Sequence, residues 1–205
     1  MKLSTGKKVV FFILMILIID QTLKIWIKTH MVIGQEIHFL GKYGMLHFIE
    51  NNGMAFGMEM GGKTGKILLS LFRIIAITGI SWYLSLLIRK NATTGLLIAV
   101  SAILAGAIGN FIDSAFYGII FSESTYDKVA VMFPPEGGYS SFLLGKVVDM
   151  FYFPVINTTW PEWSPVKPGE PFVFFRPVFN ISDAAITCGV FSILIFQKKM
   201  FHNLN

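Results

Sequence analysis

The stretch "VVFFILMILIIDQTLKIWI", Val9–Ile27, decides the fold class. From Val9 to Ile19 every residue is apolar. A helix of about 20 such residues crosses the hydrocarbon of a bilayer. The run then admits Asp20, Gln21 and Lys24. Asp20 and Lys24 are four apart, so on a helix they share a face and can pair. Charges near membrane depth are costly and need a reason. A snorkelling pair at the end of the span is one reason, and a polar site inside the protein is the other. Lys2, Lys7 and Lys8 before the apolar core imitate a cleaved signal peptide. No small-residue cleavage site follows, so a retained anchor is expected.

The remaining sequence agrees with a membrane class. The chain has 205 residues, 54% hydrophobic and 14% charged. Soluble domains carry about a quarter charged residues. Further apolar runs lie at about 67–88, 95–112 and 183–197. The expectation is an α-helical integral membrane protein, a single domain over 1–205, with four transmembrane helices including 9–27. The third and fourth runs are short for a bilayer, so their ends are expected in polar, protein-lined surroundings. The net charge of +5 sits at the flanks of the runs, at Lys7 and Lys8, Arg89 and Lys90, and Lys198 and Lys199. Such flanks orient membrane proteins with the positive side in the cytoplasm. Both termini are therefore expected in the cytoplasm, and segments 28–66 and 113–182 outside it. No basic stripe interleaved with aromatics tracks a nucleic acid. The single cysteine, Cys188, excludes an intrachain disulfide and reads as a small core hydrophobe.

The two outer segments differ. Residues 36–60 alternate imperfectly and carry glycines, which predicts short strands in a small extracytoplasmic cradle or lid. Residues 121–176 hold seven of the eight prolines, a long insertion that predicts a cap or an ordered surface loop. Lys66 and Arg73, near the outer end of the second span, read as interfacial anchors.

Four polar clusters fall on the outer side: Asn51-Asn52-Gly53, Asn110 with Asp113, Asp149 in "GKVVDMFYFP", and Asn180 with Asp183 in "FNISDAAI". Each has a plain alternative. "NNG" signals a turn, Asn110 and Asp113 can end a helix, and Ser182 or Asp183 can cap the fourth span. Asp149 can be a loop charge, although Val147, Val148, Met150 and Phe151 surround it. Four such clusters on one side of one membrane are harder to explain separately. The four histidines show no metal-ligand spacing, and no metal or cofactor is expected. There is no GxSxG. Lys66 and Ser70, four apart, only imitate a Ser–Lys dyad. Two aspartates remain, and two carboxylates brought close share one proton and can activate water. The competing class is a small membrane transporter or ion-handling subunit, with the acids as a polar pathway. The acids gather at one face, which disfavours a pathway. A non-catalytic membrane assembly factor is a third reading.

With these residues in view, the chain resembles the lipoprotein signal peptidases, or signal peptidase II. "DQTLK" from Asp20 resembles Asp-x-x-x-Lys, "NNGMAFG" from Asn51 resembles Asn-x-Gly-Ala-Ala-Phe, and "GNFID" from Gly109 resembles Gly-Asn-x-x-Asp. "VVDMF" and "FNISDAAI" resemble Val-Val-Asp-Phe and Phe-Asn-x-Ala-Asp-x-x-Ile. The resemblance implies an aspartic endopeptidase at the outer face of the bacterial cytoplasmic membrane. Such an enzyme cleaves prolipoproteins before a cysteine carrying diacylglycerol and is blocked by globomycin. It implies Asp149 and Asp183 as the catalytic pair. Asn51, Gly53, Asn110, Asp113 and Asn180 would line the site, supported by Asp20 and Lys24. Three departures stand out. Ser114 occupies the place of an Arg after the Asp of Gly-Asn-x-x-Asp, and Lys146 or Arg176 is the expected substitute for its charge. Ser182 replaces an Ala. The stretch from Asp113 to Phe179 is longer than in typical members.

Overall fold

The computed structural model describes residues 4–53, 62–165, 167–174 and 176–202. The first apolar run lies in helix α1, Thr5–His30, which ends beyond the polar residues Asp20 and Lys24. After it come strand β1, Glu36–His38, and strand β2, Met45–Asn51. Helix α2 spans Gly62–Arg89, and α3 spans Thr94–Ile112. A π-helical turn, Asp113–Tyr117, and a last helical turn α4, Gly118–Ile120, continue α3 as one rod. The third span is therefore longer than its apolar count, because Asp113 and Ser114 are buried by protein and do not face lipid. Strands β3, Val147–Tyr152, β4, Ile156–Thr159, β5, Pro171–Phe174, and β6, Val178–Phe179, precede helix α5, Ile181–Met200. Four of these helical stretches are long and apolar enough to cross a membrane.

α3 is the central helix. Leu96, Val100 and Ala105 are buried on it, whereas α1, α2 and α5 turn Phe11, Phe72, Ile75 and Leu194 outward. In water such exposure would be unstable; here it is the surface that meets lipid. Cys188 also faces outward on α5, so it is not the core hydrophobe expected. α5 lies close against α3 because the contact positions are small. A Cβ at Gly109 would strike the Ser182 side chain and the Asp20 carboxylate, and one at Gly106 would strike the Ser182 backbone.

The strands form a four-stranded sheet in the order β1-β2-β3-β6, with antiparallel pairing throughout. An irregularity between Leu46 and Ile49 shifts the β2–β3 register, and Ile49 then pairs with Asp149. Val148 and Met150 pack with Ile27, Met31, Phe48, Tyr117 and Phe121 in a second core at the end of α1 that carries Ile27 and Met31. β4 and β5 form a separate hairpin.

The insertion is ordered by contacts with the helix ends. The Ala130 amide donates to the Lys28 carbonyl, the Ile33 amide to Thr125, and the Gly145 amide to Ser114. Lys28, fully buried, pairs with Glu50 and donates to Ser124 Oγ at 2.8 Å. Residues 121–146 thus buttress α1, β2 and the π-helical turn. The cradle expected over 36–60 is present in β1 and β2; its part beyond Gly53 lies outside the described residues.

Candidate functional site

The polar residues of four helices and two strands meet at one end of the bundle. The lowest layer is a buried ion-pair triad. Lys24 Nζ lies 3.0 Å from Asp20 and 2.8 Å from Asp113, and all three side chains are fully buried. Gln21 Nε2 donates to Asp20 at 3.1 Å and to Asp113 at 2.9 Å. The Ser182 amide donates to Asp20 at 2.9 Å and the Val148 amide to Asp113 at 3.3 Å. The two carboxylates therefore tie α1 and α3 to the start of α5 and to β3. Buried ions persist only when paired and hydrogen-bonded in this way. Asp20 and Lys24 form an interior pair, not a snorkelling one.

The triad sets the layer above it. Lys24 also donates to Asn110 Oδ1 at 3.0 Å. An ammonium only donates, so it fixes that amide oxygen toward itself and turns the amide NH2 away. That NH2 donates to Asp183 Oδ1 at 2.8 Å. Asn180 is oriented by a different device. It is the N-cap of α5, and its Oδ1 accepts the Asp183 amide at 2.9 Å. Asp183 returns the bond by accepting the Asn180 amide at 3.2 Å, completing a capping box. With its oxygen occupied, the Asn180 NH2 donates to Asp149 Oδ1 at 2.7 Å. Asn51 Nδ2 donates to the other oxygen of Asp149. The cap expected at Ser182 or Asp183 is therefore Asn180. Ser182 lies one turn position inside the helix, buried against Gly109.

Asp149 and Asp183 are thus linked through one amide, Asn180, and each is held by a further Asn. Asp149 is 4% exposed and Asp183 half-buried. Burial, and then the charge of Asp183, pushes the Asp149 carboxyl up to about 7, against the lowering by Asn180. Desolvation outweighs the hydrogen bonding here because the charged form loses more water than the two amides, Asn180 and Asn51, restore.

Arg73 was expected at the interface and is instead part of this cluster. Its guanidinium donates to Ser114 Oγ at 2.6 Å, to the Asn110 carbonyl at 3.2 Å and to the Gly53 carbonyl at 2.8 Å. Lys66 likewise donates to Asn52 Oδ1 at 3.1 Å. Ser70 Oγ donates to the carbonyls of Lys66 and Leu143, so the imitated Ser–Lys dyad is absent. The signal was present as a stripe: Lys66, Ser70 and Arg73 recur at i, i+4 and i+7, one face of a helix. Lys146 does not supply a charge near Ser114; it lies by Glu123 at 3.1 Å and Glu50 at 3.9 Å. Arg176 is exposed.

Gly53 is fixed by its surroundings. Its φ is +82°, and a Cβ would come 2.8 Å from the Arg73 guanidinium. Its amide donates to Asn51 Oδ1, which turns the Asn51 NH2 toward Asp149. Gly53→Ala is expected to cost about 1–3 kcal/mol through backbone strain. Thermal unfolding in detergent checks this, and an unchanged midpoint contradicts it.

The family model described as Signal peptidase (SPase) II matches residues 12–199. A protein of Porphyromonas gingivalis called lipoprotein signal peptidase is 48% identical over 97% of this chain and 86% of its own length. One of Amoebophilus asiaticus, under the same name, is 38% identical over 91% of this chain and 75% of its own. A solved bacterial membrane enzyme, studied by the in meso method, shares the fold with a TM-score of 0.61 at 23% identity. That alignment covers 96% of this chain and 90% of the other.

Proposed function

The chain belongs to the signal peptidase II family, and from that premise we propose that Asp149 and Asp183 act as a proton-sharing pair that hydrolyses one peptide bond. Membership makes the chain a bacterial membrane protease that removes signal peptides from prolipoproteins. The bond cleaved is the one before the diacylglyceryl-modified cysteine. One observation carries the reading: Asn180 touches both Asp149 and its own capping partner Asp183, with Asn51 and Asn110 orienting the outer faces of the pair.

The chemistry follows from the two environments. Asp149, more deeply buried, holds the shared proton. Asp183, more open and fixed at a helix start, is the carboxylate that takes a proton from water. Neutral Asp149 hydrogen-bonds the scissile carbonyl as water adds. The tetrahedral intermediate collapses when the proton gained by Asp183 passes to the leaving amine. Neither metal nor covalent intermediate is required. The substrate's diacylglyceryl chains stay in lipid against the apolar outer faces of the helices. The chain is read as multi-pass, with both termini cytoplasmic and the site at the outer face. Globomycin, which blocks the family, is expected to block this protein.

The pH profile tests the proton-sharing pair. Burial raises the Asp149 pKa, so its neutral form survives to about pH 7. Above that Asp149 loses its proton, and its neutral carboxyl is no longer there to polarise the carbonyl. Cleavage of a lipidated peptide is expected to fall with a basic limb near 7, the apparent value belonging to the pair. A rate still climbing well above that pH contradicts the assignment.

A further inference from the structure

We propose that Arg73 is a positioning residue of the proteolytic site, a cation reaching in from α2 that clamps the Gly53 turn onto the end of α3 and holds both aspartates in register. The inference rests on the aspartate-pair reading above and extends it to a residue outside the motif matches.

The geometry is that of a bridge. One nitrogen of the guanidinium donates to Gly53; the other donates to Asn110 and Ser114. Ser114 Oγ in turn donates to the Asn110 carbonyl at 3.1 Å. Each contact leads to an aspartate through one or two further hydrogen bonds. Gly53 donates its amide to Asn51, whose NH2 meets Asp149. Asn110 donates its own NH2 to Asp183. A planar guanidinium reaches two backbones at once, which a lysine cannot do with the same geometry.

The charge has its own effect. Three acids come within electrostatic reach of Arg73: Asp113 from the π-helical turn, Asp149 from β3 and Asp183 from α5. Among the described residues two other cations face these acids, both on α1 and both already committed: Lys24 to Asp20 and Asp113, and Lys28, within reach of Asp113, to Glu50. Lys66 lies two turns away on α2, beside Asn52. Arg73 therefore supplies the positive charge that Asp20, Asp113 and Glu50 have not already taken. A positive charge there favours an ionised carboxylate, so its removal raises the pH at which Asp149 ionises and moves the basic limb upward.

The position of Ser114 makes the inference sharper. It is where the resemblance expects Arg, and its short side chain instead receives an arginine from another helix. Arg73 thus brings a cation to the Ser114 side chain from α2.

The test uses purified full-length protein in detergent and a diacylglyceryl-cysteine peptide. Asp149→Asn, Arg73→Met, Arg73→Lys and the double variant Arg73→Met/Ser114→Arg are assayed together. Arg73→Met is expected to lower kcat by about 10²-fold, with KM nearly unchanged and the pH profile displaced upward at its basic limb. Arg73→Lys is expected to leave the limb in place and lose part of kcat. The double variant is expected to recover at least about tenfold in kcat over Arg73→Met, with its basic limb returning. Wild-type kcat and basic limb in Arg73→Met overturn the proposal. So does a loss of kcat with an unmoved limb that Ser114→Arg does not restore, which is the mark of a merely structural role. Should Arg73→Met fail to fold, Arg73→Lys decides: full kcat there contradicts the clamp. An active Asp149→Asn enzyme defeats the aspartate-pair reading itself. A dead Asp149→Asn with a normal Arg73→Met defeats only this inference.

Discussion

Asp149→Asn and Asp183→Asn are each expected to reduce cleavage of a lipidated peptide by at least about 10³-fold, the scale of losing a positioned proton-transfer group. The substitutions are nearly isosteric. Asp149 accepts hydrogen bonds from Asn51 and Asn180, and a side-chain amide oxygen can still accept one. The capping box loses its carboxylate in Asp183→Asn, yet the Asp183 amide still bonds Asn180. Loss of one helix-end carboxylate costs only about 1 kcal/mol. Both variants should therefore insert, accumulate and unfold near the wild-type temperature. Asp149→Asn is expected to lose a buried carboxyl whose ionisation opposes folding above its unfolded pKa, so it should be no less stable than wild type at neutral pH. Normal unfolding with absent turnover separates chemistry from folding. Substantial turnover in either variant removes that residue from the pair.

Lys24→Met is expected to have the largest effect on stability. It leaves Asp20 and Asp113, both fully buried, without their shared cation. Breaking a buried ion pair from one side costs about 3–5 kcal/mol. Native proteins have only about 5–15 kcal/mol in all. The variant should unfold at a markedly lower temperature in detergent and should accumulate poorly. It should also be inactive when folded, because Asn110 loses the ammonium that fixes its amide. Adding Asp113→Asn removes one uncompensated charge and should recover part of the lost stability. A Lys24→Met protein as stable as wild type would mean that the triad does not organise the bundle end.

The four spans were legible because lipid enforces composition over whole helices, as the unbroken run from Val9 to Ile19 shows. Their ends were less so. The rod from α3 runs on through Asp113 and Ser114, which hydropathy counts as polar and protein burial makes interior. Asp20, Lys24, Asn51, Gly53, Asn110, Asp113, Asp149, Asn180 and Asp183 were all singled out from sequence, and they converge in one hydrogen-bonded network. Ionisable residues in apolar runs are few, so each stands out. Their roles were harder. Asn180, Ser182 and Asp183 are all good caps, and only the turn geometry selects Asn180. Arg73 was placed at the interface because a long cation near a span end snorkels as readily as it turns inward. Its inward turn depends on Gly53 and Ser114, which lie 20 and 41 residues away in the chain. The insertion gave no pattern of its own; its order comes from Lys28, Glu50 and the turn after α3.

The most direct measurement is mass spectrometry of the products from a synthetic lipobox peptide incubated with the purified protein. Two peptides of one sequence are compared, one with diacylglyceryl-cysteine and one with unmodified cysteine. A single cut is expected in the lipidated peptide, immediately before the modified cysteine, suppressed by globomycin, and no cut in its unmodified twin. An intact lipidated peptide, a cut elsewhere, or equal cutting of both peptides would contradict that expectation.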